Sequence, residues 1–174
     1  MVDKIKVIIV DKQKEFKVPR GTRMLIRRCC NAVLKSENFV GSAEINIILV
    51  DNDVTKELNK KHRGKDVEAD VLSFPMTKEN GNGKTVFEIN PENKFQMLGD
   101  IVISLEKVLE HMEDYETTFQ REVTYLVAHG ILHILGYDHE LAADKIIMRE
   151  KEEKVMGSLG LPCITLFTLR TQAR

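Results

Sequence analysis

Two runs of residues settle most of the architecture before any motif is considered. AEINIILV (43–50) and DIVIS (100–104) are rich in β-branched residues and almost wholly apolar where they end. A strand with one face in water alternates apolar and polar residues, and a strand without that alternation is covered on both faces. Both runs therefore read as interior strands. IKVIIV (5–10) and VLSFP (71–75), the latter closed by Pro75, add two more. The loop KENGNGK (78–84) carries Asn-Gly turn signals, with hairpin arms expected around 86–89 and 95–98.

Helical spacing fills the intervals. After Pro19 and Gly21, RMLIRRCCNAVLKS places Leu25, Cys29, Ala32 and Val33 along a helical stripe. DVTKELNKKH, capped by Asp51 or Asp53, reads as a short helix that stops near Gly64. From residue 104 to about 158 the pattern is helical. Thr117 and Gln120 match a capping box at the start of a helix over roughly 118–135, which is hydrophobic on most sides and so belongs in the core. Strands mixed with helices, followed by helices alone, predict an α+β fold. The expected form is a mixed β-sheet of about four strands with helices packed against it. The apolar start of the tail PCITLFTLRTQAR (162–174) leaves a further strand and loose packing equally open.

Composition narrows the classes. At 174 residues, 43% hydrophobic and 30% charged, the chain suits one domain over residues 1–174. No window approaches the roughly 18 consecutive apolar residues of a membrane span, and the N-terminus lacks a secretory pattern. Cys29, Cys30 and Cys163 form neither an even framework nor a C-x-x-C pair, so free thiols in the reducing cytoplasm are expected, with the adjacent pair on different sides of a helix. The formal net charge of −1 gives no global attraction to nucleic acid. Charge is nevertheless uneven: KELNKKHRGK (56–65) holds five Lys/Arg against one Glu, and RGTRMLIRR (20–28) holds four Arg and no acid. A polyanion would have to bind such a patch; on charge alone the favoured reading is that these are solvated helix faces.

VAHGILHILGYDHE (127–140) carries the chemistry. His129 and His133 stand four apart on a helix, so their imidazoles share one face. Gly136 can take the left-handed conformation that ends a helix, and the turn through Tyr137 and Asp138 brings His139 back toward the same ion. Three neutral imidazoles around a tetrahedral ion leave one position for water, whose pKa such a site lowers to ~7. Asp138 and Glu140 are the carboxylates near enough in sequence to close that position. Burying three imidazoles without a shared partner costs free energy at each. The spacing H-x-x-x-H-x-x-G-x-x-H is shared with metzincin proteases, but those place a glutamate beside the first histidine as general base. Here that position is Gly130, so a peptidase would lack its proton acceptor.

HGILHILGYDH resembles the signature of the YbeY family, metal-dependent endoribonucleases of ribosomal RNA maturation. LNKKHRGKDVEADVLSFP (58–75) and LGDIVIS (98–104) resemble further family blocks, in order, over roughly residues 44–157. The resemblance implies one zinc-type ion (Zn2+) per chain held by His129, His133 and His139. It also implies a catalytic arginine at Arg63, where a guanidinium grips phosphate oxygens and stabilises developing charge. The implied activity is cleavage of single-stranded ribosomal RNA in late small-subunit processing and ribosome quality control. Implied partners are ribosomal RNA and the small ribosomal subunit, with ribosomal proteins or an assembly GTPase beside them. Lys60, Lys61 and Lys65 would help to hold the backbone. Glu68-Ala69 stands where the family usually has Pro-Thr, which removes a hydroxyl and adds a negative charge beside the expected RNA path.

Overall fold

The computed structural model describes residues 1–82 and 85–162. Among these the order is β1 (Val2–Asp11), α1 (Thr22–Ser36), β2 (Gly41–Val50), α2 (Asn52–Arg63), β3 (Val71–Pro75), β4 (Thr77–Glu79), β5 (Thr85–Ile89), β6 (Gln96–Ser104), α3 (Leu105–Asp114), α4 (Phe119–Ile134) and α5 (Ala142–Ser158). The sheet runs β1-β2-β6-β5-β4, with β3 also paired to β6. β1, β2 and β6 are mutually parallel, while β3 and β5 run antiparallel to β6 and β4 antiparallel to β5. The expected mixed sheet is therefore present, with three long strands, β1, β2 and β6, flanked by the shorter β3, β4 and β5.

The arm expected around 95–98 and the separate strand 100–104 are joined in one strand, β6 (Gln96–Ser104). Gly99 makes this possible. Pairing slips there from Glu44 opposite Met97 to Ile45 opposite Gly99, and Gly99 has φ +140. A Cβ at that position would lie 2.1 Å from the Phe74 carbonyl oxygen. Only glycine lets the bulged strand stay against β3.

The absence of alternation in β2 and β6 is explained by what covers them. Ala43, Ile45, Ile47 and Leu49 join Ile101 and Ile103 in the main core, together with α1 and α4. Val50, Leu72 and Val102 form a smaller cluster on the other face, with Leu58 of α2 packed against it. Helix α4 is buried along its length except at Gln120, His129 and His133. Its cap is Thr118, which accepts from the Arg121 amide at 3.2 Å. The expected Thr117–Gln120 box does not form, because the Thr117 amide donates to Met112 O and closes the end of α3.

Cys29 and Cys30, expected on different sides of a helix, are both buried. Helix α1 packs on β1, α4 and α5 together. Burial is the main cause that pushes both thiol pKa values up, Cys30 to about 12, so they are poor nucleophiles. Cys163 and the tail from residue 163 onward lie outside the described residues, as do residues 83–84 of the glycine loop. No helix of the described chain is long and apolar enough to cross a membrane.

Candidate metal centre

His129 and His133 stand on a stripe of α4 that the core leaves partly open. His129 and His133 face each other with ring centroids 4.6 Å apart, and the His133 Nε2 lies 3.1 Å from the His129 Nε2. Past the helix, Gly136 adopts φ +101. Its amide donates to His133 O, and the Tyr137 amide donates to Leu132 O. This pair of bonds is a Schellman stop, and it turns the chain back across the helix end. His139 thereby reaches 5.3 Å from the His129 ring and 4.9 Å from the His133 ring. One donor atom from each of the three lies within 4.8 Å of the others.

The donor set fits a small divalent ion. Two nitrogens about 2.0–2.1 Å from a tetrahedral ion stand about 3.3 Å apart, close to the 3.1 Å between the His129 and His133 Nε2 atoms. The His129 tautomer agrees with that use. His129 Nδ1 sits 2.6 Å from Glu152 Oε1, so the ring donates there and presents its Nε2 lone pair to the site. Burial, reinforced by the neighbouring His129 and His139, lowers the His133 pKa to about 4. The imidazole is therefore neutral at physiological pH, the form able to offer a lone pair to an ion.

Behind the histidines stands a polar shell that the sequence did not announce. Glu152 of α5 is 2% exposed. Its second oxygen accepts from the Tyr125 hydroxyl at 2.6 Å, and Arg149 lies 3.6 Å from that oxygen and donates to the same hydroxyl. Burial pushes the Glu152 carboxyl up, but His129, Tyr125 and Arg149 together outweigh it and hold the pKa below its ordinary value. A second brace holds the turn: the Tyr137 hydroxyl donates to Glu37 at 2.6 Å, and Lys151 donates to the same carboxylate at 2.9 Å.

A cleft of about 290 Å³ opens beside His129 and His139. Lys145 and Arg149 line one side of it, and Asp70 and His111 line another. His111 lies between carboxylates, with Nδ1 3.5 Å from the buried Glu122 and Nε2 3.9 Å from Asp70. Sequence reasoning had no signal for these groups, because each contact joins separate elements.

Arg63 lies elsewhere. It is exposed in the last turn of α2, before Gly64 at φ +69, and it does not line the cleft. The segment after it is pinned across α2, with the Asn59 side chain donating to Val67 O and the Ala69 amide donating to the Thr55 hydroxyl. That pinning delivers Asp70 to the cleft wall. The charge of Glu68, together with Asp70, helps to raise the pKa of Lys107, whose largest influence is its bond to Glu110.

Gly130 excludes a catalytic glutamate on steric grounds as well as chemical ones. A Cβ there would lie 2.8 Å from Ile101 Cγ2 and 3.2 Å from the Ser73 hydroxyl, so position 130 faces the sheet. The comparisons with known proteins agree with this geometry. A family model described as Endoribonuclease YbeY matches residues 8–160. The chain belongs to the endoribonuclease YbeY family. The relative named Endoribonuclease YbeY from Caldanaerobacter subterraneus subsp. tengcongensis is 43% identical over 154 residues, covering 88% of this chain and 98% of the relative. The one from Clostridium tetani is 41% identical over 164 residues, covering 89% and 98%. The solution structure of TM1509 from Thermotoga maritima superimposes with a TM-score of 0.51 at 28% identity, covering 88% of this chain and 90% of that one. The YbeY match spans both the histidine segment and the basic block of α2.

Proposed function

We propose that this chain is a zinc-dependent endoribonuclease, a single domain over residues 1–174, that cuts single-stranded ribosomal RNA in the cytoplasm during small-subunit maturation and quality control. The observation that carries the reading is the convergence of three imidazoles, one of them oriented by the buried Glu152. Membership of the YbeY family supplies the substrate class, and its relatives are named endoribonucleases. The small ribosomal subunit, with ribosomal proteins or an assembly GTPase beside it, is the proposed setting.

His129, His133 and His139 are the proposed ligands. A zinc-type ion bound there supplies Lewis acidity toward a phosphodiester oxygen and lowers the pKa of a water molecule. The protein's own groups do the remainder. Glu152 keeps the proton of His129 on Nδ1 and the ring in place. Glu37 and Lys151 hold Tyr137, and with it the turn that carries His139. Lys145 and Arg149 at the cleft are placed to attract a phosphate. Arg63, with Lys61 and Lys65, is the proposed phosphate-gripping group on RNA that extends past Asp70; Lys60 is tied to Asp66 at 3.1 Å. Position 130, filled against Ile101, argues against peptide hydrolysis.

The test uses purified, zinc-loaded wild type and the His133→Ala and Arg63→Ala variants, assayed on a single-stranded RNA and on a generic peptide. Cleavage of RNA alone, lost in His133→Ala and reduced in Arg63→Ala with metal retained, is the expected result. Absence of RNA cleavage in the wild type, or cleavage undiminished without His133, overturns the reading.

A further inference from the structure

The arginine-rich start of α1 has no part in the metal centre, yet the fold gives it an address. At 3.6 residues per turn, Arg27, Arg28, Asn31 and Lys35 fall on one strip of α1. All three cations are exposed. Across a groove from them stands Lys154 of α5, also exposed. That groove, about 370 Å³, is lined by Arg28, Asn31, Lys35, Lys154 and Ser158 among others, with no carboxylate among the described residues of its lining. A second groove flanks the strip on the β1 side, where Arg27, Asn31 and Lys35 face Asp3.

These cations are unneutralised within the described fold. None of Arg27, Arg28, Lys35 and Lys154 takes part in an ion pair among the described residues, and two of the nearby carboxylates are engaged elsewhere, Glu37 with Lys151 and Glu153 with Arg121. Glu150, one turn before Lys154, is exposed and makes no ion pair with it. Like charges gathered on one helix face repel one another, and a polyanion relieves that repulsion.

The strip also leads somewhere. Roughly 13 Å of helix separates Arg28 from Glu37, and Glu37 accepts from Tyr137 in the turn that carries His139. The end of α1 that carries the strip thus meets, through Glu37 and Tyr137, the turn that holds His139, away from the α2 block around Arg63.

We infer that the α1 strip and Lys154 form a backbone-binding track that holds single-stranded RNA leading to the histidine centre. The inference rests on the endoribonuclease reading. Its recognition is of phosphates, not bases, since the strip offers guanidinium and ammonium groups beside a single amide at Asn31.

The experiment compares wild type with the fourfold variant Arg27→Gln, Arg28→Gln, Lys35→Gln, Lys154→Gln, and with Lys61→Gln on α2. Binding of a fluorescent single-stranded 20-mer is read by anisotropy at several salt concentrations, with zinc content and thermal midpoint recorded to confirm the fold. Each lost phosphate contact reduces the salt slope by about 0.7. The inference predicts a slope lower by about 2–3 in the fourfold variant, with weaker binding at every salt and zinc content retained. A slope equal to that of wild type, or one lowered only by Lys61→Gln, overturns it while leaving the nuclease reading intact. A wild type that neither binds nor cleaves RNA overturns both.

Discussion

The histidine segment and the basic block of α2 carry comparable density of functional side chains, and the fold treats them in opposite ways. His129 and His133 stand on a helix buried nearly all round. The second nitrogen of His129 is tied to Glu152, itself held by Tyr125 and Arg149. The turn before His139 is tied through Tyr137 to Glu37 and Lys151. In the block 56–65 the Asn59 side chain ties down the backbone of the following segment at Val67, while Lys61, Arg63 and Lys65 stand exposed. The difference follows from the partners. A metal ion tolerates little error in ligand position, so its donors need a shell that fixes tautomer and angle. A flexible polyanion needs charge at roughly the right place, and surface cations suffice.

That contrast predicts a graded set of losses. Removing a ligand outright should be worst: His133→Ala loses stoichiometric zinc and at least about 100-fold in RNA cleavage, more than the 10–100-fold typical of an outer-shell change. Measured metal content and turnover check this together. Glu152→Gln should follow, with zinc affinity lower by about 10–100-fold at a retained fold, read by competition with a chelating dye. Equal affinity in this variant would remove the main difference between the two regions.

Gly130→Ala sharpens the comparison through stability. The added methyl meets Ile101 at 2.8 Å, and overpacking of this kind costs about 1–3 kcal/mol, seen as a lower denaturation midpoint. An unchanged midpoint would show that α4 is free to shift on the sheet. Arg63→Ala should leave stability and zinc content alone and lower the salt slope of RNA binding by about 0.7. If it instead abolished zinc binding, the two regions would not be separable.

The smallest effect concerns acid. Although burial raises the Glu37 carboxyl, its bonds from Tyr137 and Lys151 prevail and its pKa is lowered on folding. The native state therefore binds fewer protons than the unfolded one. Glu37 stabilises above the unfolded carboxylate pKa, and the contribution fades as pH falls through the lower native value. A thermal-midpoint profile of Glu37→Gln should fall less steeply than wild type below about pH 5.

What the sequence made legible depended on how local each signal was. The strands of the core, α1, α2 and α4 were readable because apolar spacing is local, and the three histidines because their ligand geometry spans eleven residues. The joining of 95–98 to 100–104 was not readable, since the bulge at Gly99 is set by the approach of Phe74 on another strand. Glu152 lies 23 residues beyond His129 in a run of exposed-looking charges, and only the packing of α5 on α4 shows its role. His111 with Glu122, and Lys151 with Glu37, were hidden for the same reason. Thr117 and Thr118 differ by one position, and the closure of α3 decided which of them capped α4.

The central claim is that His129, His133 and His139 form the metal centre of an RNA-cutting enzyme. Zinc titrated into chelator-treated protein tests it most directly, with bound metal and cleavage of a single-stranded RNA followed in the same samples. The account predicts one ion per chain and cleavage that rises in step with occupancy, both absent in His133→Ala. Full cleavage by the metal-free protein, or unchanged zinc stoichiometry in His133→Ala, would contradict it.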